Sequence, residues 1–355
     1  TSQDNAALLQ AYAGSVARPH GSSLAEFLFG LIPNDTDFTE FRGAGFRGLN
    51  LAMVGGSSAY HAPFDTPEHL HGPSLQRLGN TLLALVSALE RTDPSNAAAP
   101  RGVVFHGLAE FWFITVPRRA ARWILLALVL GSLAMLWTRV PYRPRPAALA
   151  AALVAPVLIA TLGLSLQWLL SATVEPLSRF ALGHEPRGDF TSAVLAALGT
   201  LITGAGFARA GAARCGPDII RQIAAAGLSL YCLGLLILAS VHVGAAWVLA
   251  MPLPAAAWAL RLSASDSPGI HGWPVALCGL PVVWLAGSWL DLTLLTSLRP
   301  LAMAVIAWGT LAVGLPFIGA VLSLQRRPVS RLDVSLLALG FSLLCLSSVV
   351  RGVGS

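Results

Sequence analysis

Side chains that could do chemistry crowd together in the run Tyr60-His61-Ala62-Pro63-Phe64-Asp65-Thr66-Pro67-Glu68-His69. His61 follows a Gly-rich loop, Gly55-Gly56-Ser57-Ser58, and has an aspartate four residues later. That arrangement suits a metal ligand with a nearby carboxylate, because the loop lets an imidazole face a cleft while the preceding element fixes its backbone. One histidine does not make a site, however: a metal centre needs three or four donors, and a lone loop histidine is more often a surface residue. His69 and His71 lie close by, but Gly72-Pro73 follows at once and their spacing does not put them on one helical face, so they read as polar loop residues. Asn34-Asp35-Thr36-Asp37 adds two carboxylates, in residue types that also turn and cap chains, and it reads as a turn.

The elements that must hold this run can be read from periodicity. Gly48 to Val54 is an apolar stretch that reads as a buried strand leading into the loop. Behind the loop, Ser74 to Arg91 carries Leu75, Leu78, Leu82, Leu85, Val86 and Leu89 at a period of 3.6, which predicts an amphipathic helix packed on a sheet. Upstream, Asn5 to Gly14 predicts a short helix with Leu8, Leu9 and Tyr12 on one face. Ser22 or Ser23 caps a second helix, in which Leu24, Phe27, Leu28 and Leu31 recur until Pro33 stops it.

Several ordered runs give the region a family resemblance. Tyr60-His61-x-Pro63-x-Asp65-Thr66-Pro67-Glu68, then Ser74-Leu75-Gln76 and the apolar helix to Leu89, resembles the C-terminal end of the peptidase domain in the di-zinc aminopeptidases that include vacuolar and endoplasmic-reticulum membrane metallopeptidases. Leu31-Ile32-Pro33-Asn34-Asp35-Thr36-Asp37-Phe38-Thr39 and Gly45-Phe46-Arg47-Gly48-Leu49-Asn50 are similar to the segments preceding that histidine in the membrane-bound branch. The resemblance implies that His61 is the last ligand of a pair of zinc ions, Asp65 a supporting carboxylate and Tyr60 a wall of the cleft. It also implies that the other ligands and the general-base Glu stand upstream of Thr1, so no catalytic residue is expected within this chain, which reads as the C-terminal part of a longer protein.

Composition bounds the remainder. The chain has 355 residues, 55% hydrophobic and 11% charged, with a mean hydropathy of +0.68; soluble domains carry about 25% charged residues. This excludes an ordinary soluble globule and predicts a polytopic membrane protein with a small soluble portion. Residues 1–117 hold 10 acidic side chains against 6 Arg, net −4, and residues 118–355 hold 7 against 17, net +10. All 23 basic residues are Arg, and they flank apolar spans rather than clustering with aromatics on a soluble face, so no nucleic-acid partner is expected. Cys215, Cys232, Cys278 and Cys345 are widely spaced with no CxxC pair, which predicts packing residues rather than disulfides or a thiolate site.

Residues 92–101, rich in Pro, Ala and Asn, read as a linker, and the aromatic stretch 103–117 reads either as a strand or as a segment lying in the headgroup region. From Arg122 onward, spans of about 20 residues suited to a bilayer are expected at 122–139, 146–170, 190–210, 220–240, 243–261, 273–295, 300–323 and 333–350. Ten Arg fall in one set of alternate loops and seven in the other, a bias that places the soluble portion outside the cytoplasm. Asp291, Gln167 and His242 lie near span ends and Glu175 in a loop, where side chains reach water, so they do not outline an ion pathway.

The expected architecture is thus a partial α/β zinc-peptidase domain over residues 1–92, a linker and interfacial segment over 93–121, and an all-α domain of about eight transmembrane helices over 122–355. The expected function is that of the C-terminal portion of a membrane-anchored, zinc-dependent aminopeptidase, with peptide as substrate, the bilayer as partner, and the chain alone inactive. The alternative is a polytopic transport or scaffold protein with a degenerate peptidase-like ectodomain.

Overall fold

The computed structural model describes residues 5–31, 36–52, 66–91, 102–108, 112–139 and 217–264, together with residues 146, 148, 150, 151 and 154. Four helices come first: α1 (Ala6–Ser15), α2 (Ser23–Phe29), α3 (Asp37–Gly43) and α4 (Gly72–Glu90), with a single 3-10 turn at Pro67–His69. A two-stranded antiparallel sheet follows, β1 (Val103–Leu108) and β2 (Trp112–Pro117), with Val103 opposite Pro117 and Leu108 opposite Trp112. Then come α5 (Arg118–Arg139), α6 (Pro217–Val241), α7 (Val243–Ala250) and α8 (Leu253–Ala264).

The first two helices are tied to the hairpin by polar side chains. Asn5, which is 1% exposed, clamps Val103: its amide nitrogen donates to the Val103 carbonyl at 3.4 Å and its carbonyl accepts from the Val103 N–H at 3.0 Å. Ser22 caps α2 by accepting from the Ala25 N–H at 3.0 Å, while the Ser23 hydroxyl accepts from the Phe105 N–H at 3.0 Å. Between them, Ser22 bridges to His106, and the Gly107 N–H donates to the Gly21 carbonyl at 2.8 Å. Gly21 has φ of +137°, and a Cβ on Gly107 would sit 3.3 Å from the Gly21 backbone. Both glycines are therefore required by the close approach of the two chains.

The stretch 103–117, which the sequence leaves open between a strand and an interfacial segment, is a hairpin. Its inner ring, Phe113, stacks on Phe105 at 5.8 Å and meets Tyr12 edge-on at 5.6 Å. The expected strand from Gly48 is not found over residues 48–52, which have no regular structure. Strand geometry is sustained by a ladder to a neighbour, and no second strand lies beside this stretch among the described residues. Leu49 and Leu51 instead join a small cluster with Tyr12, Val16 and Leu85. Helix α4 forms as its periodicity predicts, but it rests on α1 rather than on a sheet. Only Leu85 of its apolar stripe is buried; Leu75, Leu82 and Val86 stay exposed. The short helix α3 begins at Asp37, the last residue of the turn expected over Asn34–Asp37, and runs through residues to which the sequence reading gave no element.

Helix α5 starts directly after β2, and at ~1.5 Å per residue its 22 residues reach ~33 Å. Helices α5, over Arg118–Trp137, and α6, over Arg221–Val241, are long and apolar enough to cross a bilayer. His242 breaks the chain after α6 with an extended backbone (φ −146°, ψ 94°), and the helix that follows turns back on α6. The Tyr231 hydroxyl, on α6 before the break, donates at 2.9 Å to the carbonyl of Leu249, after it. A second break at Met251-Pro252 separates α7 from α8, because proline has no N–H to continue the helical ladder. The expected spans 122–139 and 220–240 correspond to α5 and α6, whereas over 243–261 the structure has two short helices, α7 of 8 residues and α8 of 12, in place of one spanning helix. The spans expected at 190–210, 273–295, 300–323 and 333–350, and most of 146–170, lie outside the described residues.

One core joins the two halves. Leu24 and Leu28 of α2 and Val104 of β1 share a buried cluster with Leu125 and Val129 of α5, Leu228 of α6, Trp247 of α7 and Leu260 of α8. Helix α7 sits at its centre, with Val243 to Val248 all buried, and packs on α2, β1, α5 and α6. A Cβ on Gly244 would lie 2.6 Å from the Ser23 Cβ and 3.2 Å from Val104 Cγ1, so this junction needs a residue with no side chain.

Candidate functional site

Tyr60, His61 and Asp65, which sequence reasoning groups as the metal ligand and the cleft, lie outside the described residues, as do Asn34 and Asp35. The structure describes the supports on either side. The chain enters through Leu49 and Leu51, half-buried against the Leu85 cluster, and leaves through the turn Pro67–His69 into α4.

His71 has a structural task at that exit. Its Nδ1 accepts from the Ser74 N–H at 3.3 Å, making it the N-cap of α4, and it lies 2.8 Å from the Ser74 hydroxyl. An imidazole nitrogen used as an acceptor has no lone pair left for a metal, which agrees with the reading of His71 as a loop residue. Among the described residues, no three His, Cys, Asp or Glu side chains converge in a way that could hold a metal ion. These residues do not supply a metal's donor set, and no chemical step is drawn through one.

Two other histidines have surroundings that sequence reasoning missed. His106 is 1% exposed on β1, and burial, helped by the nearby charge of His20, pushes its pKa down to about 4. It is a neutral imidazole at physiological pH. The sequence carried no signal of this, since Phe105 and His106 point to opposite faces of the strand and both faces are covered. His242 caps α7, its Nδ1 accepting from the Ala245 N–H at 3.0 Å, and its ring lies 5.3 Å from that of Phe27 on α2. Its sequence signal was the single non-apolar residue separating two apolar runs.

A groove of about 420 Å³ between α1 and α4 is lined by Gln10, Gly14, Ser15, Ser87 and Arg91 among small residues. Its walls carry no carboxylate and no histidine, so they offer no acid, base or ligand for hydrolysis.

Comparison with known proteins bears on the N-terminal part. Residues 1–86 match the family model described as Peptidase family M28. The chain is 32% identical over 137 residues to the Homo sapiens protein named Endoplasmic reticulum metallopeptidase 1, covering 37% of this chain and 15% of that protein. It is 35% identical over 96 residues to the Mus musculus protein of the same name, covering 26% of this chain and 11% of that protein. The chain therefore spans only a small part of the relatives it matches. No solved structure matches. Residues 1–86 thus match Peptidase family M28, in a chain similar over part of its length to proteins named endoplasmic reticulum metallopeptidase 1.

Proposed function

We propose that this chain is part of a membrane-anchored, zinc-dependent aminopeptidase and carries the end of its peptidase domain. The observation that carries the reading is the placement of Tyr60-His61-x-Pro63-x-Asp65 inside the residues that match Peptidase family M28. In this reading residues 1–92 are the end of the peptidase domain, 93–121 link it to the membrane, and 122–355 anchor it as a multi-pass helical domain with the peptidase portion on the extracytoplasmic side. His61 contributes one ligand to two zinc ions of the full-length protein, Asp65 supports it, and Tyr60 borders the peptide. When bound, zinc supplies an acidified water for hydrolysis; the task of this chain's residues is to place one ligand and one wall of the cleft. A single histidine cannot hold a closed zinc site, so the 355-residue chain alone is inactive.

Two helices long and apolar enough for a bilayer support the anchoring. Exposed Trp123 and Trp137 near the two ends of α5 are of the type favoured at membrane interfaces. The functional test uses the full-length protein and a peptide pair differing only at the N-terminus. Cleavage of the peptide with a free amino group, abolished by a zinc chelator and absent with its N-acetylated twin, is the expected result. Equal cleavage of both peptides removes the aminopeptidase assignment and leaves a metallopeptidase of another specificity. No cleavage of either favours a scaffold or transport role.

A further inference from the structure

The end of the bundle nearest the peptidase-like segment holds a histidine in a position where its protonation state decides a contact. His242 is the hinge between α6 and α7, and the start of α7 is wedged against α2 and β1 with no room for a side chain at Gly244. Two interactions hold His242 there. Its Nδ1 accepts the Ala245 N–H at 3.0 Å, and its ring packs 5.3 Å from the ring of Phe27 on α2. The cap requires a lone pair on Nδ1, hence the neutral ring with its proton on Nε2. An imidazolium has no acceptor, so protonation would turn the Ala245 N–H against another N–H. It would also set a positive charge at the positive end of the α7 dipole.

We propose that the α2–α7 junction is a proton-released clasp, in which neutral His242 holds the broken helix against the peptidase-like segment and acidification frees it. The charged groups around the hinge set the balance. Helix α2 brings Glu26, whose carboxylate favours a proton on the ring; Arg118 at the head of α5 disfavours it. Strand β1 brings His106, which is neutral. On α6 and α8, Arg221 and Arg261 stand about 20 residues from the hinge, at the far end of the helical hairpin, and Tyr231 and Cys232 are buried midway along α6. Burial is the largest influence and keeps the ring neutral at ordinary pH. The clasp is therefore shut near neutrality and opens on the acid side. It does not depend on the peptidase assignment, since it uses none of the residues that assignment needs.

Hydrogen exchange of the whole chain in lipid nanodiscs, corrected for intrinsic rates, tests this between pH 8 and pH 5. Protection of the amides of 243–248 and of 23–29 is expected to hold near neutrality. As pH drops below about 6.5, the ordinary pKa that the freed ring regains, protection falls by up to about tenfold per pH unit until the closed clasp itself takes the proton, while the middle of α6 stays protected. His242→Asn keeps an acceptor for the cap without titrating, and its protection at 243–248 should not change with pH. Glu26→Gln removes a group that favours the proton in the closed clasp, so it widens the gap between closed and freed ring and should deepen the loss of protection at acid pH. Protection in the wild type that is independent of pH overturns the proposal. So does an identical fall in His242→Asn, or a fall that extends equally through α6.

Discussion

Gly244 and Ser23 approach so closely that a Cβ added to the glycine would lie 2.6 Å from the Ser23 Cβ and 2.9 Å from its hydroxyl. That contact joins the segment matching Peptidase family M28 to the apolar helices, because Ser23 belongs to α2 and also accepts from the Phe105 N–H in β1. The peptidase-like segment is seated on the helical bundle through a shared core rather than hung from it by a linker alone. Substituting Gly244→Ala should cost about 1–3 kcal/mol, the usual range for overpacking a filled interior. Gly131→Ala, on α5 where nothing lies within 4 Å, should be neutral or stabilising by up to about 1 kcal/mol. Thermal unfolding of the two variants beside the wild type measures the contrast, and equal melting temperatures would contradict the seating.

Asn5 makes both bonds to Val103, and it does so nearly without solvent. Asn5→Ala leaves a buried N–H and carbonyl without these partners, at a cost of about 1–3 kcal/mol. The loss should appear as faster amide exchange at Val103 and in the hairpin, with α6 unaffected. An unchanged exchange rate at Val103 would mean that the strand is held by its partner β2 alone.

Burial of neutral His106 makes stability depend on pH in a definite direction. Its folded pKa, about 4, lies below the ordinary 6.5. Above 6.5 the ring is neutral folded or unfolded and contributes no pH dependence. As pH falls from 6.5 towards 4 only the unfolded chain takes up the proton, so stability is lost, by up to about 3 kcal/mol. A denaturation series from pH 7.5 to pH 4.5 should show this decline in the wild type and a smaller one in His106→Leu. Parallel curves would place the acid sensitivity elsewhere.

His71 and His61 should separate in the full-length protein. His71→Ala removes the cap of α4 and is expected to lower stability by about 1 kcal/mol with bound zinc unchanged. His71→Asn should restore the stability. Loss of zinc in both His71 variants would show that the imidazole serves the metal and not the helix.

The elements legible in the sequence were those with a local signal. Helix α4 followed from its leucine period, α2 from the serine before Leu24, and α5 and α6 from apolar length. What was not legible depended on pairing across the chain. The hairpin over 103–117 is tied by Asn5, 98 residues from Val103, and by Ser23, 82 residues from Phe105, which bond the outer edge of β1. The strand expected from Gly48 failed for the same reason, since apolar residues alone do not specify a ladder partner. At the candidate site, sequence reasoning singled out His61 by its neighbours in the chain, and it read His71 as a loop residue, which proves to be a cap. The roles of His106 and His242 were hidden because burial and capping are set by β1, α2 and α7 together.

Zinc content and aminopeptidase activity of the full-length protein, measured side by side for the wild type and His61→Ala, test the central claim most directly. Stoichiometric zinc and activity are expected in the wild type. Loss of activity and of about half the metal or more is expected in the variant, because removing one ligand opens a site that needs three or four. A wild type that carries no zinc and cleaves nothing, or a His61→Ala protein that keeps both, would contradict that claim.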